Sequence, residues 1–391
     1  MSDISQPGSE AELAEFVREA ATAQSGICIV GGGSKQSLGN RVWGKHVTTS
    51  KLNGIEHYEP ASLTLVAQAG TPLQEIEDEI SKHGQHLPFE PADYRNLLSS
   101  GGEPTIGGIV ACGISGSRRI QAGACRDSLI GVRFINGEGD VIKSGGRVMK
   151  NVTGYDLVKL LTGSYGTLGV ISQVSFKLLP SPQFTASLLL HGVSSNQAIS
   201  AMSIALGSPF DLSGVAHIPD EENGSTTLFR LEGFEKSVKY RAQKLLELLS
   251  SFGRMEIESD PEFTRKRWNQ ITNVGFFANK QGAVWRLSLK PGDSPDVVKA
   301  ISQSRDVEVF YDWGGGLVWL LTPLGDNSGE KIIRECVNRV GGHATLVRAQ
   351  KESFTGNVFH PQSGIVEKIS SNLRRQFDPH SILNPGRMGA I

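Results

Sequence analysis

The chain has 391 residues, a formal net charge of −1 and 20% charged residues. That balance excludes bulk-charge attraction to nucleic acid or to an anionic membrane surface, and the length is that of two or three domains. Cys28, Cys112, Cys125 and Cys336 are widely spaced with no C-x-x-C pair, which argues against a metal site or iron–sulfur cluster built by this chain alone. No apolar run reaches the roughly 20 residues of a transmembrane span. Residues 1–10 lack the basic and apolar regions of a signal peptide, so a cytoplasmic location is expected.

In chain order, Ser9-x-x-Glu12 reads as a capping box, followed by Leu13, Phe16, Val17 and Ala20 at helical spacing. The apolar run Ile27–Val30 reads as a buried strand that ends in Gly31-Gly32-Gly33-Ser34-Lys35. Residues 40–50 read as irregular and 63–69 as a strand. Thr71-Pro72 reads as an N-cap with Pro at the first helical position, Leu73, Ile76 and Ile80 as the buried stripe, and Gly84 as the stop. Residues 101–116 are too glycine-rich for a regular helix. Strands at 129–135 and 140–143 flank Asn136-Gly137, a hairpin signal. A short helix over 155–161 and a strand over 169–179 follow, closed by Pro180 and Pro182.

After Pro182 the pattern becomes two runs of strand, helix, strand, strand, helix, over 184–251 and 283–347. This order predicts a ferredoxin-like pair sharing one antiparallel sheet. A helix over 364–376 leads to Asp378-Pro379 and Asn384-Pro385-Gly386, an ending expected to return to the first domain. The expected domains are 1–182, 183–350 and a tail of 351–391.

Three adjacent glycines after a strand suit either a tight turn or a nest of bare N–H groups that holds an anion. A Rossmann fingerprint fails, because Gln36 stands at the third glycine position and no helix-forming run follows. Gly39 to His46 approaches a Walker A motif but ends in His where the hydroxyl that binds magnesium is needed. The loops come as a set, however. Thr105-Ile106-Gly107-Gly108, Gly123-Ala124-Cys125-Arg126-Asp127 and Gly163 to Ile171 follow the first.

In this order, and with the ending Asp378-Pro379…Asn384-Pro385-Gly386, the chain resembles the FAD-binding domain of the vanillyl-alcohol-oxidase/p-cresol-methylhydroxylase (PCMH) type over residues 9–182 and 360–388. Val148 to Asp156 with Gly166-Thr167-Leu168-Gly169 is similar to the smaller FAD-binding (E) subunits of bacterial glycolate oxidase. The resemblance implies an α+β protein: a PCMH-type domain of two α/β subdomains, a ferredoxin-like α+β cap, and a returning tail. It implies that Gly31, Gly32, Gly33, Ser34 and Lys35 hold the FAD pyrophosphate and that Thr105, Gly107 and Gly108 flank it. Gly113, Ser115 and Gly116 would continue along the cofactor. Arg126 and Asp127 would stand near the flavin, Gly169, Val170 and Ile171 along the adenine–ribose end, and Asn384 by the isoalloxazine. The loop Gly31 to Gln36 has no His, and Cys112 and Cys125 suit buried positions, so noncovalent FAD is expected.

Related catalytic subunits carry an H-x-G-D-G-N-x-H stretch that this chain lacks, which places independent substrate oxidation in doubt. His191, His217 and His343 read as isolated. Arg126 and His360 are the candidate catalytic residues, and Arg118-Arg119 suits either a carboxylate clamp or a solvated surface pair. The resemblance implies glycolate oxidation to glyoxylate, with a larger FAD-binding catalytic subunit and an iron–sulfur subunit as partners and peripheral attachment to the inner membrane through them. A stand-alone alcohol or hydroxy-acid oxidoreductase and a non-catalytic flavin-bearing subunit are the alternatives.

Overall fold

The computed structural model describes residues 4–146, 155–219, 224–349 and 354–389; most of the Val148 to Asp156 motif lies outside them. The chain forms two compact units. The first takes in the chain up to Ser115, Gly123–Ser181 and the stretch from Pro361 onward; the second comprises Gly116–Ala122 and Pro182–His360.

In the first unit, Ser9 caps the Glu10–Thr22 helix by accepting from the Glu12 amide (3.2 Å), while the Glu12 carboxylate turns back to the Gly8 amide (2.8 Å). Leu13, Val17 and Ala20 face inward and pack on Ile27 and Val47. The Ile27–Val30 strand pairs in parallel with Lys45–Thr48, inside the stretch expected to be irregular. Four residues with only Val47 and Thr48 buried give too short an alternation to be recognised as a strand. A five-stranded antiparallel sheet runs in the order Ile55–Glu59, Thr64–Gln68, Val170–Lys177, Leu129–Ile135, Val141–Gly145. The Asn136-Gly137 hairpin forms as expected, with Ile135 opposite Val141.

Two local expectations are corrected. Ile106–Cys112 is an α-helix despite Gly107 and Gly108, because Thr105 caps it through the Gly108 amide (3.3 Å) and Gly107 lies against Ala69, whose Cβ would be 2.6 Å from a Cβ at 107. Helix–sheet contact here overrides the entropy cost of glycine. Thr71 does not cap the Leu73–Ser81 helix. Its hydroxyl donates to the Gln68 carbonyl (2.7 Å), and Pro72 stands at the cap without a side-chain bond.

The tail returns to the first unit. Asp378, 1% exposed, accepts from the Ile382 and Leu383 amides (3.1 and 2.8 Å) and so curls the turn. Ile382 and Asn384 then exchange backbone bonds with Ile27 (2.7 and 2.9 Å), which places the tail beside the first strand. Gly137 fits under Asp378, whose carboxylate would meet a Cβ there at 2.4 Å.

The second unit is one eight-stranded antiparallel sheet: Met255–Glu258, Phe184–His191, Thr226–Gly233, Leu212–Ile218, Glu308–Asp312, Leu317–Thr322, Ala283–Ser288, His343–Arg348. Each half has the ferredoxin-like order, and Met255–Glu258, which the sequence pattern missed, completes the first half. Among the described residues, the strand ladder between the halves has one register pair, His217 opposite Tyr311. Helices Ser195–Leu206, Glu235–Leu249, Ser294–Ser302 and Glu330–Arg339 contribute Ala198, Val238, Ile301 and Ile333 to one core under the sheet.

Gly116–Ala122 is fastened into this second unit by buried polar contacts. Ser117 donates to Asp312 (2.8 Å), and both residues are almost fully buried. Arg118 is buried, not a solvated surface residue, and binds Glu232 through both oxygens (2.7 and 2.8 Å). Burial alone would raise the Glu232 carboxyl, but the Arg230 and Arg118 guanidiniums outweigh it and hold it at about 2. The folded-state value lies below the ordinary 4.5, so this stabilisation is present above pH 4.5 and lost as the pH falls toward 2. Denaturant unfolding from pH 7 to 2.5 should show that loss, and Glu232→Gln should abolish this part of the pH dependence while costing about 3 kcal/mol at neutral pH.

Candidate functional site

The first unit contains a cleft with about 750 Å³ of empty space, its open mouth included. The end of the first strand, the Ile106–Cys112 helix, the Tyr165–Ile171 stretch and the tail residues Asn384 and Arg387 line it. Of the expected site residues, Gly31, Gly32, Gly33, Ser34, Lys35, Thr105, Gly107, Gly108, Gly169, Ile171 and Asn384 converge here.

The glycines do more than bare the backbone to a ligand. A Cβ on Gly32 would lie 2.1 Å from the Glu103 carbonyl oxygen, and one on Gly31 would lie 2.5 Å from the Thr105 hydroxyl. The two glycine loops thus cross at backbone contact. The Glu103 amide donates to the Gly32 carbonyl (2.8 Å), and Ser100 donates to the Ser34 carbonyl (2.7 Å). Gly33 takes φ of +84°, a left-handed conformation that a side chain would strain. With the carbonyls of Gly31 and Gly32 occupied by Thr48 and Glu103, the amides of Gly31, Gly32, Gly33, Lys35 and Gln36 have no acceptor among the described residues.

Two cations border the same cleft. Among the described residues Lys35 reaches only the Ser34 hydroxyl (3.4 Å), and burial pulls its ammonium below the ordinary lysine range. Arg387, 7% exposed, donates through Nη1 to the Gln36 and Leu38 carbonyls (3.0 and 2.8 Å), and burial lowers it too. Neither has a carboxylate ion pair among the described residues. Free backbone donors, the buried Arg387 and the half-buried Lys35 form a site for an anion, which fits a phosphate-bearing cofactor.

Asn384 is 4% exposed, and both ends of its amide are engaged. Oδ1 accepts from the Ile29 amide (2.8 Å), and Nδ2 donates to the Tyr165 carbonyl (2.8 Å). It ties strand, tail and Tyr165 turn together at the cleft wall, with Tyr165 itself at φ of +53°.

The other expected residues lie outside the cleft, each with a local role. Gly113 ends the Ile106–Cys112 helix at φ of +63°. The Ser115 hydroxyl accepts from the Cys125 amide (2.9 Å). Asp127 accepts from the Ala124 amide (2.8 Å) and so caps its own turn, beside exposed Arg126. Val170 is core. Gly116 belongs to the second unit, where its carbonyl accepts from the Trp313 indole (3.0 Å). Of the two candidate cysteines, Cys112 lines the cleft, whereas Cys125 is fully buried away from it, and burial pushes both thiols up.

His360 belongs to the second unit. Its Nδ1 accepts from the Ala344 amide (3.2 Å), Nε2 meets Asn338 (2.7 Å), and its ring packs on His343 at 5.4 Å. His343 is therefore not isolated. Nor is His217, which lies between Thr227 and Ser195 (2.9 and 3.4 Å) and is held by burial at about 4. Among the described residues no His, Cys, Asp and Glu side chains group as a metal site. Sequence reasoning placed Tyr165 and Gly166 in a cofactor loop without giving them a site role, and missed Arg387; the quoted ending stops one residue before Arg387.

Residues 3–145 match the FAD binding domain family. Over 379 residues, 97% of both chains, the sequence is 36% identical to the glycolate oxidase subunit GlcE of Escherichia coli (strain K12). The chain belongs to the family of GlcE-type FAD-binding subunits. FAD is therefore its cofactor. It is also 33% identical over 138 residues to glycolate oxidase subunit GlcD of Bacillus subtilis (strain 168), covering 35% of this chain and 28% of that one. The solved 4-ethylphenol oxidase of Gulosibacter chungangensis has the same fold, with a TM-score of 0.72 at 13% identity over 99% of this chain and 88% of that one.

Substitutions at two positions test the cleft's construction. Gly32→Ala must separate the crossed loops and should cost about 2 kcal/mol in thermal or denaturant unfolding. Asn384→Leu strands the Ile29 amide and Tyr165 carbonyl and should cost about 3 kcal/mol; Asn384→Asp, which keeps the acceptor for Ile29, should cost less.

Proposed function

We propose that this chain is the smaller FAD-binding subunit of a multi-subunit glycolate oxidase, holding noncovalent FAD in the cleft of its first unit. The observation that carries the reading is the near full-length likeness to GlcE, joined to a cleft with free amides and two bordering cations. In this assignment the Gly31–Gln36 amides, with Thr105, Gly107 and Gly108 behind them, receive the pyrophosphate, and Gly169 and Ile171 border the adenine–ribose end.

The chain is an FAD-dependent oxidoreductase, and the substrate we assign to its complex is a small 2-hydroxy acid, glycolate. Oxidation to glyoxylate removes two electrons and two protons, and bound FAD supplies the two-electron acceptor. The reaction also needs a base for the hydroxyl proton. His217 and His360, the best-connected histidines of the second unit, are bonded within that unit, and Arg126 is exposed outside the cleft. This favours oxidation within a complex, with a larger FAD-binding subunit as the catalytic partner and an iron–sulfur subunit as the electron acceptor, over a stand-alone enzyme. No described helix is long and apolar enough to cross a membrane; peripheral attachment through the partners is part of the proposal.

Affinity purification of the tagged chain from its native host should yield flavin released by denaturation alone, together with two partner chains, one of them carrying an iron–sulfur cluster. Glycolate turnover should require the partners. A purified chain without flavin, or steady glycolate turnover by the chain alone, would contradict the assignment.

A further inference from the structure

The sequence offered backbone amides as the phosphate site and gave no role to the tail beyond Gly386. In the structure Arg387 is buried, and only its Nη1 is engaged, by the Gln36 and Leu38 carbonyls. Its Nε and Nη2 have no acceptor among the described residues. Among the described residues, the groups that could offset its charge are the Tyr165 phenol and the Cys28 and Cys112 thiols; burial pushes the two thiols up and so keeps them neutral. Lys35 borders the same cleft and is equally without a carboxylate ion pair among the described residues; the Cys112 thiol and Asp93 act on it with opposite sign, and Asp93 is already paired with Arg95 (2.7 Å). Buried cations without counter-ions are costly. Elsewhere in this chain buried arginines are matched: Arg118 meets Glu232, and Arg334 meets Glu330 (3.0 Å).

We propose that Lys35 and Arg387, from opposite ends of the chain, form a two-cation clamp for the diphosphate of an adenine dinucleotide, so that the tail is a working wall of the site and is fixed by its ligand. This rests on the assignment of FAD to the cleft. A guanidinium offers two parallel donors to phosphate oxygens, and an ammonium offers a compact charge. Gly39 leaves the room that Arg387 needs, since a Cβ there would lie 2.7 Å from the arginine Cδ. The tail is anchored at Asp378 and Asn384, and around the cation by Asn40, which donates to the Gly386 and Arg387 carbonyls (3.1 and 2.9 Å), and by Arg374, which donates to Gly389 (3.2 Å); ligand charge on Arg387 adds to these ties.

The test compares wild type, Arg387→Gln, Arg387→Lys and Lys35→Gln as flavin-stripped full-length protein, titrated with FAD, ADP and AMP by calorimetry, with proteolysis of the tail and thermal unfolding in parallel. Losing a charge-assisted bond of about 1.5–3 kcal/mol corresponds to a loss of FAD and ADP affinity of about 10- to 100-fold for the Gln variants, with Arg387→Lys between them and wild type. AMP, lacking the diphosphate, should bind weakly and be little affected. ADP alone should protect the wild-type tail from proteolysis. Apo Arg387→Gln should unfold no lower than apo wild type, because an uncompensated charge has gone. Full FAD and ADP affinity in Arg387→Gln, or its lowered apo stability with unchanged affinity, would reduce Arg387 to a loop fastener and overturn the clamp while leaving FAD in the cleft. Wild type that binds neither FAD nor ADP would overturn both the clamp and the FAD assignment.

Discussion

The site depends on two backbone segments crossing without side chains between them. Gly31 and Gly32 lie against Glu103 and Thr105 at distances no Cβ tolerates. The crossing takes the Gly32 carbonyl, Thr48 and Ser100 take those of Gly31 and Ser34, and the amides of Gly31, Gly32, Gly33, Lys35 and Gln36 are left without an acceptor among the described residues. A loop whose acceptors are paired and whose donors are not is an anion site by construction. Everything else at the cleft serves that crossing: the Ile106–Cys112 helix starts from the second loop, and Asn384 holds the strand that delivers the first.

Charge is handled in opposite ways in the two units. In the second, the buried arginines Arg118, Arg230 and Arg334 lie beside Glu232 or Glu330, and the sheet seam at His217 and Tyr311 is polar but uncharged at neutral pH. In the first, Lys35 and Arg387 at the cleft have no carboxylate ion pair among the described residues. A protein that neutralises its interior charges in one unit and withholds compensation in the other has placed its binding energy where the charges are left open.

The fold was largely legible in the sequence because its signals were periodic. The double strand–helix pattern after Pro182 predicts the ferredoxin-like halves, and Asn136-Gly137 predicts its hairpin. What escaped was short or decided by tertiary contact. Lys45–Thr48 is too brief to show alternation, and Ile106–Cys112 is helical because Gly107 meets Ala69. In the site, the glycine loops stood out, but the reasons for the glycines did not: contact with another loop is invisible in one stretch of sequence. Residues such as Ser115 and Asp127 sit in site-like surroundings yet bond local amides, whereas Arg387, one residue past the Asn384-Pro385-Gly386 motif, reaches the cleft because the tail curls at Asp378.

The account turns on where the adenine dinucleotide lies. Photolabelling of the flavin-stripped protein with an azido analogue of ADP, followed by peptide mapping, tests this most directly. Labels should fall on the peptides around residues 29–38, 105–112, 165–171 and 384–387. Labelling confined to the second unit, within 182–360, would contradict the account.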